Sequence, residues 1–492
     1  MKKSLLVSLF ILMACLCTQS VVAATSLLQA YRDAAQNDQT YKQAEATYLS
    51  NKEILPLARS QLLPTFDITG NVGLGHNKYD SNGRLPGESF LNSSGSGSSQ
   101  QMGYNLKLTQ VLFNWAAFSG YRSAKNAVEQ AVSTFAAAKQ DLVLRLAKTY
   151  FSVLKAKEVL RYTAAQKRAL FNQLHVTRQR YKVGLDAITA VYQAQAQYDA
   201  VRAQYIARDN DVTNAREELR VITSNMYPGL YKLKYNFPLV TPQPADINDW
   251  AQAAVQQNLR LKAARFNAIS KQKLISVESG QRLPNLNLVG QYGQDRINGR
   301  SGHYDGHRQT DSASVNLRLD FKPFQGGQVF AKVRQAQANY QLASAQMDHT
   351  HREVIANSRE SYLGVMSGIS KIKADRLAIK SSRSALRSTE AGYRVGTQTI
   401  NDVLLAQRRL YKAENNYAQA RFEYLTTTLA LKQAAGTLNI HDLEQINHWL
   451  KVTASTYDTP ATKKKIKRGK AKIQKKSTTF SHKKVAQKTQ VA

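Results

Sequence analysis

The sequence predicts a mainly α-helical chain that also supplies strands to a membrane β-barrel. Three observations carry this expectation. A helix–turn–helix stretch occurs twice, four segments alternate strictly between apolar and polar residues, and the helical runs are too long for one globular domain.

The duplicated stretch reads Arg180-Tyr181-Lys182-Val183-Gly184-Leu185-Asp186-Ala187-Ile188 in one copy and Gly392-Tyr393-Arg394-Val395-Gly396-Thr397-Gln398-Thr399-Ile400 in the other. Gly184 and Gly396 each follow a helical run, where left-handed geometry costs glycine nothing. Asp186, Thr397 and Thr399 then offer oxygens to cap the next helix. Each copy is expected to be a tight turn joining two antiparallel helices. The repetition reaches further. Leu62-Leu63-Pro64 matches Arg282-Leu283-Pro284, and Ala34-Ala35-Gln36-Asn37-Asp38 lies over Ala254-Val255-Gln256-Gln257-Asn258 in the same register. Each half therefore reads as helix, strand, strand, helix, turn, helix, over residues 25–240 and then 241–456.

Taken in order, residues 1–24 have a basic start, an apolar run from Leu5 to Leu16 and small residues at Val21-Val22-Ala23-Ala24, which is the pattern of a secretory signal peptide. Both cysteines, Cys15 and Cys17, fall inside it, so the mature chain is expected to have no disulfide. A lipidated Cys15 is the second reading, which Met13 fits poorly. No later stretch has the ~18 apolar residues of a membrane helix.

Residues 26–62 read as helix, ended by Pro64. Phe66, Ile68, Gly70, Val72 and Leu74 then alternate with Asp67, Thr69, Asn71 and Gly73. A flexible loop is expected over 79–100 because of its Ser93–Ser99 run. The return strand sets Tyr104, Leu106 and Leu108 against Asn105, Lys107 and Thr109, so a hairpin spans 64–113. The second half repeats this over 284–322. Leu286, Leu288, Gly290 and Tyr292 lead to a Gly/His-rich loop at 298–309, and Val315, Leu317, Leu319 and Phe321 return. Pro64 and Pro284 mark the two barrel entries. Strands of ~9–11 residues suffice to cross a bilayer when tilted. Phe113, Trp115, Phe321 and Phe324 supply aromatics at one end, as at a membrane interface. Four strands cannot close a barrel, and open edges are not tolerated in lipid. Several copies must pool strands; two give eight and a filled interior, three give twelve and room for a pore.

From Ala116 to Tyr181 only Gly120 interrupts the helical pattern, a run of roughly 90–100 Å. Tyr121, Val128, Phe135 and Leu142 recur every seven residues, as do Val191, Tyr198, Tyr205, Val212 and Leu219, and Val403, Leu410, Tyr417, Tyr424 and Leu431. Alanines occupy most of the alternate seam positions, giving a coiled-coil seam of large and small residues.

The net charge is +34, and residues 459–492 hold twelve Lys or Arg with no Asp or Glu. This tail, within 457–492, reads as disordered. With a signal peptide in front, nucleic acid is not an expected partner. The residues also allow a soluble exported coiled-coil protein whose basic tail binds a polyanion. Catalytic signals are lacking: His349 and His351 face apart on a helix, His303 and His307 sit in the Gly-rich loop, and no phosphate-cradling or nucleophile motif occurs. No enzyme activity, cofactor or metal is expected.

On these residues the chain resembles the TolC family of outer-membrane efflux and secretion channels. The most specific part is Gly392–Leu450, with Gly396, Ile400, Asp402-Val403-Leu404 and Ala435-Gly436-Thr437-Leu438-Asn439. The resemblance implies a homotrimeric 12-stranded barrel, four strands per chain, in outer-membrane lipid of a Gram-negative bacterium. A long coiled-coil tunnel would extend from it into the periplasm. It implies an exit duct for small toxic compounds or for type I protein secretion. The duct would dock on an inner-membrane transporter of the RND, ABC or MFS type through a periplasmic adaptor. It also implies a gate at the turns, matched here by Tyr393, Asp402, Glu390 and Gln173. The chain departs from the pattern at Gln398, where the family has arginine, and at Leu405 and Ala190, where it has aspartates. The inter-helix ion pair of the family gate is therefore expected to be missing.

Overall fold

A computed structural model describes residues 24–83, 91–301 and 304–451. Most of the expected signal peptide, the basic tail and His303 lie outside these residues.

The first half opens with three helices, α1 (Leu27–Asn37), α2 (Gln39–Lys52) and α3 (Ile54–Ser60). One helix over 26–62 was expected. Asp38 divides it, because its extended backbone breaks the helix while its carboxylate caps α2 at Tyr41. Arg145 holds that carboxylate through two hydrogen bonds of 3.1 and 2.6 Å. Strands β1 (Thr65–Gly83) and β2 (Leu91–Phe113) follow, then α4 (Trp115–Lys182), the turn and α5 (Ile188–Thr223). A short strand β3 (Lys232–Leu233) leads out of this half.

The second half has α6 (Ile247–Gln257), α7 (Leu259–Gly280), β4 (Asn285–Ser301), β5 (Tyr304–Asp320), α8 (Gln328–Arg394) and α9 (Ile400–Ala434). Asn258 divides α6 from α7 as Asp38 divides α1 from α2, capping Leu261 and donating to the Ala434 carbonyl. Helix α10 (Ile440–His448) and β6 (Leu450–Lys451) are the last described elements, with β6 antiparallel to β3.

The long strands form one antiparallel sheet in the order β1-β2-β4-β5. Its register brings the apolar residues into rows. Ile68, Leu106, Tyr292 and Ala313 form one; Phe66, Leu108, Gly290 and Val315 form the next. The opposite face carries the row Asp67, Lys107, Gln291 and Ser314. The strands outrun the expected ones. The two expected loops are largely strand, with Gly95 opposite Tyr79, Gly97 opposite Asn77 and His307 opposite Asn298. Serine and glycine signal flexibility only when nothing fixes them. Here the apolar rows set the register and the ladder carries it outward.

The helices form two tiers on the continuous rods α4 and α8. Next to the barrel, α2 and α3 pack on α4, α4 on α7, and α7 on α8. Further out the order is α5, α4, α9, α8. The edges of the sheet and of the wall coincide: β5 and α8 on one side, β1, α3 and α5 on the other. Between the tiers lies the main core, where Leu27, Tyr150, Phe151, Trp250, Tyr424 and Leu443 are buried together. Arg421 is only 2% exposed there, between the Phe237, Tyr417 and Phe422 rings, with Glu158 at 3.3 Å and the Lys234 carbonyl at 2.8 Å.

Candidate functional site: the turns at the tunnel end

Both turns close in the same way. At Gly184 (φ 76°) the helix ends with the Leu185 N–H donating to the Arg180 carbonyl; at Gly396 (φ 84°) the Thr397 N–H donates to Gly392. This six-residue bond satisfies a terminal carbonyl and requires a left-handed residue in its middle. The turns then diverge. Thr399 caps α9 in a reciprocal box with Asp402, whose carboxylate accepts the Thr399 N–H and hydroxyl at 2.9 and 2.6 Å. These two donors hold the Asp402 carboxyl below the usual carboxylate range, the hydroxyl most strongly.

Asp186 does not cap α5, as was expected of it; the cap residue is Ala187, which lacks a side-chain bond. The Asp186 carboxylate turns back instead. It pairs with Arg180 Nε at 3.1 Å and accepts the Tyr393 hydroxyl at 2.5 Å. The same tyrosine oxygen lies 3.4 Å from Thr177, and the Arg180 guanidinium sits 4.8 Å from the Tyr393 ring centre. Burial, reinforced by the bond to Asp186, raises the Tyr393 hydroxyl above its ordinary value, so it stays a donor. Thus the two hairpins are tied at their tips by one tyrosine, one carboxylate and one guanidinium.

The other gate positions are distributed around this contact. Gln173 donates to Thr177 at 3.5 Å, within its own helix. Glu390 accepts Arg394 through its backbone carbonyl. Gln398 folds over Gly392, so closely that a Cβ at 392 would lie 2.7 Å from its Cγ. In the repeat register Gly392 and Gln398 correspond to Arg180 and Asp186, so the same pair of positions makes an ion pair in one turn and a packing contact in the other. Ala190 packs against the cluster of Leu170, Val201, Tyr393, Ile400, Val403 and Leu404. Pro64 and Pro284 precede β1 and β4, at the far end of the rods from the turns.

Sequence reading did not single out Arg180 or Thr177, and gave Asp186 the wrong role. The signal available was a base and an acid at opposite ends of one turn, six residues apart, where the other copy has neither.

On the sheet, the apolar rows are largely uncovered by other described residues. Phe66, Ile68, Val72, Leu74, Val315, Leu317 and Leu319 are all exposed. From Phe66 to Leu74 this apolar band runs about 26 Å along the strand, enough for a bilayer's hydrocarbon. No helix among the described residues is long and apolar enough to cross a membrane.

Comparison with known proteins agrees with this geometry. The model of a family described as outer membrane efflux protein matches residues 23–225 and 250–437. Outer membrane protein TolC of Escherichia coli (strain K12) is 35% identical over 446 residues, covering 89% of this chain and 87% of that protein. Outer membrane protein TolC of Vibrio cholerae is 36% identical over 454 residues, covering 92% of this chain and 99% of that protein. Among solved structures, the Campylobacter jejuni CmeC outer membrane channel superposes with a TM-score of 0.71 at 17% identity, over 86% of this chain and 90% of that one.

Proposed function

The chain belongs to the outer membrane efflux protein family, and from that premise we propose that three copies close into one outer-membrane exit duct. The sheet carries this reading. Its rows of exposed apolar side chains run across all four strands, while β1 and β5 remain open edges. Water would penalise such a face, and lipid would penalise such edges. Pairing β5 and α8 of one copy with β1 and α5 of the next resolves both, and twelve strands leave a lumen lined by the polar rows. The duct would carry small toxic compounds, secreted proteins or both. It would receive them from an inner-membrane transporter of the RND, ABC or MFS type through a periplasmic adaptor. Fractionation, with the mass of the complex in mild detergent, tests this. A trimer in the outer membrane is expected. A soluble monomer would favour an exported coiled-coil rod instead.

The tip contact is proposed as the closed-state latch of this duct. Tyr393, on the α8–α9 hairpin, is held by Asp186 and Thr177 of the α4–α5 hairpin, and Arg180 fixes the carboxylate. It takes the place of the ion pair that Gln398 and Ala190 cannot make. Gln173, Glu390 and Asp402 line the same end, Asp402 keeping its charge inside the capping box.

A further inference from the structure

Charge is distributed unevenly along the molecule. The four long strands together hold six Lys or Arg and six Asp or Glu, so the barrel is neutral. The far end of the wall is not. Val159 to Lys182 holds six Lys or Arg and no acid, and Arg376 to Arg394 holds five against the single Glu390. Arg408, Arg409 and Lys412 of α9 add three more against Asp402 and Glu414, and the first turn with the start of α5 adds Arg202 against Asp186 and Asp199, which leaves fifteen bases against five acids. Two of these bases have an acidic partner among the described residues, Arg180 with Asp186 and Arg383 with Glu414. Most of the rest point at solvent in stripes. Arg161, Arg168, His175 and Lys182 recur every seven residues on α4, and Lys373, Lys380, Arg387 and Arg394 do so on α8, all exposed.

We propose that the distal tunnel is an electropositive passage that admits anionic solutes in preference to cationic ones. The proposal rests on the duct reading and adds the charge class of what passes. Closing three copies around one axis triples the excess and turns each position of a stripe into a ring of three. A helical wall is ~10–12 Å thick, close to the Debye length of ~8 Å at physiological salt. Charges on the lumen-side face therefore act on the passage most strongly, those on the outer face being attenuated, and a low-dielectric wall focuses the field rather than dissipating it. Asp186, Asp199, Glu390, Asp402 and Glu414 oppose this with one carboxylate each per copy, against three times as many guanidinium and ammonium groups.

The trimer reconstituted in planar bilayers under a KCl gradient tests the proposal. The expected reversal potential gives a chloride-to-potassium permeability ratio of roughly 2 or more. The triple variant Lys182→Glu, Arg387→Glu, Arg394→Glu should bring the ratio below one. The milder Lys182→Gln, Arg387→Gln, Arg394→Gln should lower it by less, with folding undisturbed. A carboxylated dye should cross proteoliposomes faster than an amine-bearing dye of equal size. Wild-type channels that prefer potassium, or a ratio unmoved by either triple variant, would overturn the proposal and leave the duct intact. A protein that forms neither trimer nor channel would overturn the duct reading, and this proposal with it.

Discussion

Tyr393 and Asp186 stand 207 positions apart in the chain, and the tyrosine hydroxyl meets the aspartate oxygen at 2.5 Å. The bond joins the last turn of one 67-residue helix to the turn that follows another of 68 residues. Each hairpin is rigidified by its own coiled-coil seam, so a bond at the tips governs how far the hairpins can separate.

If this bond holds the duct shut, Tyr393→Phe and Asp186→Asn should each raise the resting conductance in planar bilayers. A hydrogen bond to a charged group is worth about 1.5–3 kcal/mol, and the proposed trimer has three. Asp186→Asn should have the larger effect, since it also leaves Arg180 unpaired. The double variant should conduct no more than Asp186→Asn alone, because both changes remove the same bond. Resting conductance equal to wild type in both single variants would remove the latch.

The barrel faces can be tested residue by residue. Leu106 and Leu317 belong to the outward apolar rows, Asn105 and Asn316 to the opposite face. Cysteines at the first two positions should react with membrane-soluble reagents alone, and cysteines at the other two with charged, water-borne ones. Uniform access from water would rule out a lipid-facing sheet.

Much of this was legible in the sequence for identifiable reasons. The period-two rows, the seven-residue seams and the repeated Gly184 and Gly396 each depend on spacing within one element. The kink at Asp38 was not legible, although Asp38 and Asn258 had been placed in register. An aspartate inside a helical pattern can point to solvent or cap a new helix, and its role here is fixed by Arg145, more than a hundred residues away, which holds the carboxylate that caps α2. Asp186 was misread for the same reason. An aspartate after a helix-ending glycine ordinarily serves the next helix, and only the partner hairpin, bringing Tyr393, redirects it. Ser93 and Gly95 looked like loop because composition does not show the opposite strand.

Lys157 offers a pH test. Burial, with Arg216 and Lys232 nearby, pulls its ammonium down from 10.5 to about 8. The folded pKa lies below the unfolded one, so the unfolded chain holds the proton more tightly. Stability should therefore rise between about pH 8 and pH 10.5, as the native state sheds that proton first. The charged form costs on the order of 3 kcal/mol at neutral pH. Lys157→Met should raise the melting temperature at pH 7 and flatten its dependence on pH above 8. A variant that melts lower at pH 7 would mean that the ammonium gains a favourable partner in the proposed trimer.

The last prediction concerns Ala190 and Gln398, two of the three gate positions at which the chain departs from the pattern its resemblance implies. Ala190 is partly buried against Tyr393, Ile400 and Val403, and Gln398 lies on Gly392. Ala190→Asp alone places a carboxylate among apolar side chains, beside the hydroxyl that Asp186 already uses. It should compete for Tyr393, loosen the latch and raise the resting conductance, since a buried charge without a partner is costly. Gln398→Arg alone adds a base to a tip already rich in them, and should change little. Together the two changes supply partners on opposite hairpins. A partly exposed pair is worth up to ~1 kcal/mol. Three copies sum to about 3 kcal/mol, enough to lower an open population by about a hundredfold. The double variant should then conduct less than wild type, reversing the sign of Ala190→Asp. Conductance in the double variant as high as in Ala190→Asp would mean that the introduced guanidinium does not reach across, and that closure rests on Asp186 and Tyr393 alone.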